Sequence, residues 1–443
     1  MKREKRMPAI MALLFTLFLT GSAVLIYYLP ERNNYFLIFY GALYILLFAF
    51  RKRFPAAMVN YCRTLLGLLF IYSGFVKGVD PLGTMYKVED YYIAYGSIWA
   101  MPMAIYQSFV MNAVEFVLGV ALLLKLKPKL VTILTTLMMA VFTFTTYMDA
   151  VYNIVPDCGC FGESIILSNW QTFYKNLTIN GFLLVLLFSM KKTSPFFFPK
   201  VEWNMILVSA LLFLGFEYYN YSYLPVVDFR AYKVGNRLVP ENPEPVEYFL
   251  QYRNTENDSV AEYRAEELPW DDEQWMSKWE FVSQRVYDPN KGKGADLAFE
   301  DLEGNDVTAG YIQNPDPQFF LISWTLAEFN EKKLDDIMQF VDSCNVHGVG
   351  FVLVTASDAD TIEAFREKSG FTEEVLRADD IELKTVIRSN PGLVLLQDAT
   401  VIDKWHWRKF PEYSKAKKLF TNQQPTTNNQ QPTTDNRQQT TDN

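Results

Sequence analysis

Met58-Val-Asn-Tyr-Cys62-Arg63-Thr-Leu-Leu-Gly67-Leu-Leu-Phe70-Ile-Tyr-Ser-Gly74-Phe-Val-Lys77-Gly78 is the stretch that decides the fold. It has the length and apolarity of a membrane-spanning helix, which needs about 20 residues. Arg63, Gly67, Phe70, Gly74 and Lys77 fall on one helical stripe. Small residues on such a stripe let a second helix approach closely. The run therefore predicts a helix packed inside a membrane bundle.

Further apolar runs lie on either side, at about 8–29, 35–50, 107–125, 130–149, 174–190 and 203–219. With 58–78 they give about seven spans. Lys2, Arg3, Lys5 and Arg6 precede the first run, as in a signal peptide. Its apolar core is too long for one and no small-x-small site follows, so it is expected to remain as a helix. Basic clusters fall at the N-terminus, at Arg51-Lys52-Arg53, at Lys125, Lys127 and Lys129, and at Lys191-Lys192 with Lys200. These are alternate connections, as the positive-inside rule requires. The expected location is a bacterial inner membrane, with a cytoplasmic N-terminus and everything after about residue 220 periplasmic.

Two later spans continue the polar stripe. Asn112, Glu115 and Gly119 share one face, and Thr132, Thr135, Met139, Thr143 and Thr146 share another. Spans three to six are thus expected to form a four-helix bundle joined by small residues and interhelical threonine hydrogen bonds. Glu115 lies inside its span, and Lys77 lies at the end of span three. An intramembrane carboxylate is costly unless paired or functional. A structural Glu115–Lys77 pair is one reading; a proton relay or a polar site for a quinone-like ligand is the other.

Cys158-Gly-Cys160-Phe-Gly162 holds two of the chain's 4 cysteines, in a connection expected to be periplasmic. In an extended chain, Cα atoms two residues apart are separated by about 6.6 Å, the upper limit for a disulfide. A bond there would close a tiny loop and stabilise little, so a staple role is weak. A redox-active pair, an inert local motif and a metal site with Asp157 are the alternatives. With 2 histidines in the chain, a His-rich metal centre is not expected. The formal charge of −9 argues against nucleic acid as a partner.

The CGCFG loop in a four-helix membrane bundle resembles the DoxX-like superfamily, and within it the MauE-like branch. The Arg63–Lys77 stripe with Asp80-Pro81 and Lys87 resembles the DoxX pattern. The resemblance covers about 58–190. It implies a component of periplasmic thiol chemistry or quinone-linked sulfur redox, with Cys158 and Cys160 as the redox pair. MauE-like proteins are associated with maturation of methylamine dehydrogenase; nothing in these residues specifies methylamine.

The second half is charged and ordinary. Residues 221–295 are expected to be an extended connector with a short strand or two. Beyond about 296 the pattern becomes regular. It predicts strands at 318–324 and 350–355, helices at 326–344, 359–368 and 379–388, and a hairpin of 392–397 with 401–405 about Asp398-Ala399. Asn390-Pro391, just before the hairpin, resembles the cis-proline loop of thioredoxin-like proteins of the TlpA and MauD types. Such enzymes carry Cys-x-x-Cys after the first strand, whereas Trp324–Glu331 contains no cysteine. Cys344, on the apolar face of its expected helix, suits a buried thiol. The tail from Thr421 repeats Gln, Pro, Thr and Asn, and is expected to be disordered.

The expected fold is therefore a membrane all-α helical bundle of about seven spans, with a DoxX/MauE-like core at 58–190, plus a soluble α/β thioredoxin-like domain at 296–420. The expected function is a redox component working with a periplasmic protein partner. A membrane-anchored assembly factor is the alternative, and a transporter a weaker one. No cofactor is evident beyond a possible quinone role.

Overall fold

The computed structural model describes residues 21–22, 26, 28–29, 31–155, 159–240, 245, 247–270, 272–287 and 297–421. Most of the first expected span, Cys158 and the 422–443 tail lie outside these. The chain divides into two units, Met1–Lys233 and Val234–Asn443.

The first unit is helical. Its described helices are α1 (Asn34–Phe50), α2 (Ala56–Val79), α3 (Pro81–Ala94), α4 (Ala104–Leu123), α5 (Pro128–Tyr152), α6 (Asn169–Ser189) and α7 (Pro199–Ser222). Four described helical stretches are long and apolar enough to cross a membrane: Ala56–Val79, Ile98–Leu123, Pro128–Tyr152 and Pro199–Ser222. Helices α2, α4, α5 and α6 pack around a core that includes Leu66, Phe70, Leu122, Met139 and Leu183.

Glycine sets the closest approach in this bundle. A Cβ on Gly119 would stand 2.6 Å from the Ile71 backbone nitrogen, and one on Gly74 would stand 2.8 Å from that of Phe116. The α2 and α4 backbones thus touch without side chains between them. Arg63 donates to the Leu122 and Leu123 carbonyls, 2.7 Å from the latter. There it satisfies the end of α4 and complements its dipole.

The expected interhelical threonine bonds form at Thr143 and Thr146, with the threonine as acceptor. Thr132, Thr135, Thr143 and Thr146 donate to carbonyls four residues back in their own helix. The interhelical donors come from α6: Asn176 Nδ2 reaches Thr146 at 3.0 Å, and Asn180 Nδ2 reaches Thr143 at 2.8 Å. A hydroxyl has one proton to give, so a threonine bonded backward can only accept from a neighbour.

Residues 78–107 connect the expected spans at 58–78 and 107–125. They contain α3, started by Asp80, whose side chain accepts from the Gly83 N–H at 3.0 Å, with Pro81 as first helical residue. The helix is too short and polar to resemble a span.

In the second unit, β1 (Glu247–Asn254), β2 (Val260–Arg264) and β3 (Trp279–Tyr287) form an antiparallel sheet ordered β2-β1-β3. Tyr252, Trp275 and Trp279 cluster against it. This is more structure than the connector expected there, whose aromatic residues blur any alternation.

The α/β part has the sheet order β6-β5-β4-β7-β8. Its strands are β4 (Gln318–Ser323), β5 (Gly350–Thr355), β6 (Val375–Arg377), β7 (Gly392–Gln397) and β8 (Thr400–His406). β5 runs parallel to β4 and β6, whereas β7 is antiparallel to β4 and β8. Central β4 is buried throughout. Helices α8 (Leu334–His347), α9 (Ala359–Ser369) and α10 (Asp380–Val386) connect the strands. This is a thioredoxin-like arrangement, and the Asn390–Pro391 peptide is cis. The single helix expected over 326–344 is instead two 3₁₀ turns, Leu326–Glu328 and Glu331–Lys333, followed by α8. Asn330 interrupts it: its side chain accepts from the Lys332 N–H at 3.2 Å.

Candidate functional site

The CGCFG loop is anchored from Gly159 onward. Gly159 and Gly162 adopt positive φ, at 59° and 50°, where a side chain would be strained. The Gly162 N–H donates to the Gly159 carbonyl at 2.9 Å, closing the turn. Phe161 is buried against Tyr72, with the Lys175 ammonium 4.6 Å from its ring centre. Ser73 Oγ donates to the Cys160 carbonyl at 2.7 Å. The sequence places a cysteine in a rigid turn at the Lys77 end of the bundle.

Cys160 forms part of the wall of a cavity of about 300 Å³. Helix α2 contributes Val76 and Lys77, and α3 contributes Thr84, Tyr91 and Tyr95. Phe142 comes from α5, and Phe229 and Arg230 come from the chain following α7. That last segment is tied to α7 at its start and turns back on itself further on. Asn220 Oδ1 accepts from the Val226 N–H at 2.9 Å, and Arg230 grips Asp228 at 2.7 and 3.0 Å.

Lys77 Nζ donates to Glu115 Oε2 at 2.7 Å, with both side chains 6% exposed. The ammonium also lies 5.4 Å from the Phe142 ring centre. Lys77 and Cys160 thus share the cavity wall, whereas Glu115 stands behind Lys77.

Asp149 was not singled out from sequence. It is 1% exposed at the end of α5. Tyr91 Oη donates to its Oδ2 at 2.5 Å, while its Oδ1 accepts no hydrogen bond among the described residues. The available signal was an acid in the last turn of an apolar run, next to the cysteine loop. Thiol and phenol share one cavity wall, and the carboxylate is bonded to the phenol behind it; such a set can take up and release protons together with electrons.

The second unit places its sequence candidates differently. The loop from Trp324 holds no cysteine and is tied to the cis-proline loop. Ser323 Oγ donates to Asn390 Oδ1 at 2.6 Å, and Asn390 Nδ2 donates to the Thr325 carbonyl at 2.9 Å. Cys344 is fully buried in the apolar core, and burial pushes its thiol up to about 12. It is held as an unreactive thiol. His406 is buried and accepts from the Arg408 N–H at 3.1 Å. Burial, with smaller contributions from Arg408 and Lys409, pulls its imidazole down to about 4. His347 is exposed and bonded to the Ser343 carbonyl. Among the described residues, no cluster of three or more His, Cys, Asp or Glu could hold a metal ion.

Fold and cavity define a multi-pass membrane protein carrying a thioredoxin-like α/β unit. Residues 55–190 match the family model described as methylamine utilisation protein MauE. The match spans the four packed helices, α3 and the cysteine loop. No curated protein matches the chain. Among solved structures, a thiol peroxidase from Chromobacterium violaceum aligns with 28% of this chain and 81% of its own, at 14% identity and a TM-score of 0.22.

Proposed function

We propose that this protein is a membrane redox component in which Cys158 and Cys160 exchange between dithiol and disulfide. The observation that carries this is Cys160 on the wall of an apolar, tyrosine-lined cavity, beside the Asp149–Tyr91 pair. Aromatic walls suit a quinone ring. Oxidation of the two thiols to a disulfide releases two electrons and two protons, and reduction of a quinone to its quinol consumes both. The Arg63–Lys77 stripe supports DoxX-like ancestry, and the basic clusters support an inner-membrane protein with its second unit in the periplasm. Methylamine belongs to the description of the matched family. The tyrosines of this cavity favour a ring over a small amine.

The test is thiol trapping in intact membranes, with the quinone pool held oxidised or reduced. Cys158 and Cys160 should follow the pool. If they stay unchanged in both conditions, and the Cys158→Ser/Cys160→Ser variant keeps full function, the redox role fails.

A second reading is an assembly factor that holds an envelope protein. The cysteine-free loop at Trp324–Glu331 and the sealed Cys344 favour it, since this unit then binds without exchanging thiols. Deleting residues 296–420 should abolish co-purification of the partner; a partner that still co-purifies removes this reading's basis.

A further inference from the structure

Another buried acid lies at the same end of the bundle, outside the cavity wall. Glu217, on α7, has no exposed surface. Neither of its carboxyl oxygens accepts a hydrogen bond among the described residues. Its Cγ would lie 3.2 Å from a Cβ placed on Gly78, and Phe213 fills the same gap. The polar side chain within reach of its carboxyl is Asn112 of α4, itself fully buried. Asn112 Oδ1 also lacks a donor.

We propose that Glu217 is a proton-carrying acid serving the cavity: neutral at rest, it donates its O–H to Asn112 Oδ1 and exchanges that proton with the cavity through Asn112 and Thr84. An ionised carboxylate without a cation in an apolar membrane interior is strongly unfavourable. One proton removes that charge and supplies the donor that Asn112 Oδ1 lacks. The same site thus has one missing donor and one excess charge, and a single atom accounts for both. Lys77, next to Gly78 on α2, and Glu115, one turn from Asn112 on α4, are engaged with each other at 2.7 Å.

The route onward is short. Asn112 Nδ2 lies 3.5 Å from both Thr84 Oγ1 and Ser108 Oγ. The Ser108 hydroxyl is committed to the Pro81 carbonyl at 2.8 Å, which leaves Thr84 as the link outward. Thr84 stands on the cavity wall. The delivery role rests on the redox function proposed above. A quinone reduced in the cavity takes two electrons from the cysteine pair and two protons. Glu217 supplies one of these protons and a cysteine thiol the other; the second thiol proton passes to water, from which the Glu217 carboxylate is reprotonated.

Infrared spectroscopy on the full chain in lipid nanodiscs at neutral pH tests this. A carboxylic-acid C=O band should be present, disappear in Glu217→Gln, persist in Glu115→Gln, and shift in Asn112→Ala, which keeps the acid in place. If Glu217→Gln removes no acid band and Asn112→Ala shifts none, Glu217 is ionised and the proposal is overturned. During turnover with a short-chain benzoquinone, the Glu217 band should diminish and recover. A band unmoved through turnover overturns the delivery role. A wild-type protein that reduces no quinone defeats the redox reading, while the static spectra still decide whether Glu217 holds the proton.

Discussion

Lys77 and Glu115 meet at 2.7 Å with both side chains 6% exposed, so the pairing offsets much of the hydration each has lost. Lys77→Met should cost about 3–5 kcal/mol, because it strands a buried carboxylate. Lys77→Met with Glu115→Leu should recover most of that loss. Thermal unfolding in detergent measures both, and a double variant as unstable as the single one would contradict the argument. In the second unit, His406 provides a pH signature. Its folded value of about 4 lies below the ordinary 6.5, so the fold favours the neutral ring. Its contribution is complete above about pH 6.5, declines as the pH falls from there to about 4, and is constant below. The loss is roughly 3 kcal/mol at most. Urea unfolding of wild type and His406→Asn from pH 7.5 to 4 should show a shallower fall in the variant; parallel curves would refute this. Lys77, Glu115 and Cys160 were legible because charged or thiol groups stand out against apolar runs. Asp149 and Glu217 were not, because each lies near a helix end among tyrosines and asparagines that read as interfacial.

At the scale of elements, α2 and α4 depend on glycine where their backbones touch. Gly119→Ala would place a methyl group 2.6 Å from the Ile71 nitrogen, a backbone atom that cannot move aside as a side chain does. Separating the helices should cost about 1–3 kcal/mol, as overpacking does. Gly215→Ala, on an open face of α7, should be neutral by the same unfolding assay. Equal losses for the two would remove the packing argument. The helix positions were legible from apolar length alone, and the α2–α4 contact from its small residues. Helix α3 and the sheet of β1 to β3 were not, since both are amphipathic and short. The strands of the α/β part were legible because β4, β5 and β7 are continuous apolar runs, as central strands buried on both faces must be. Three-residue β6 offers too little sequence for any pattern.

For the whole molecule, orientation decides which chemistry the cavity meets. In vesicles with the native outer face exposed, an impermeant maleimide should label Cys160 in a Cys158→Ser background and leave buried Cys62 and Cys344 unlabelled. Labelling of Cys160 in inverted vesicles alone would reverse the topology. The two units divide at Lys233–Val234, past the change in hydropathy near residue 220. What the membrane half encloses was not legible in the sequence, because a cavity is made by side chains far apart in sequence, from Val76 to Arg230. Its volume of about 300 Å³ has a consequence for supply. That is the lower end of the range for small-molecule sites, enough for one ring and not for a long isoprenoid tail. The tail of a lipid-like ligand must stay among the acyl chains, so such a ligand is recruited sideways by two-dimensional diffusion. Turnover should then scale with the mole fraction of ligand per lipid, and adding empty liposomes at constant total quinone should slow it by dilution.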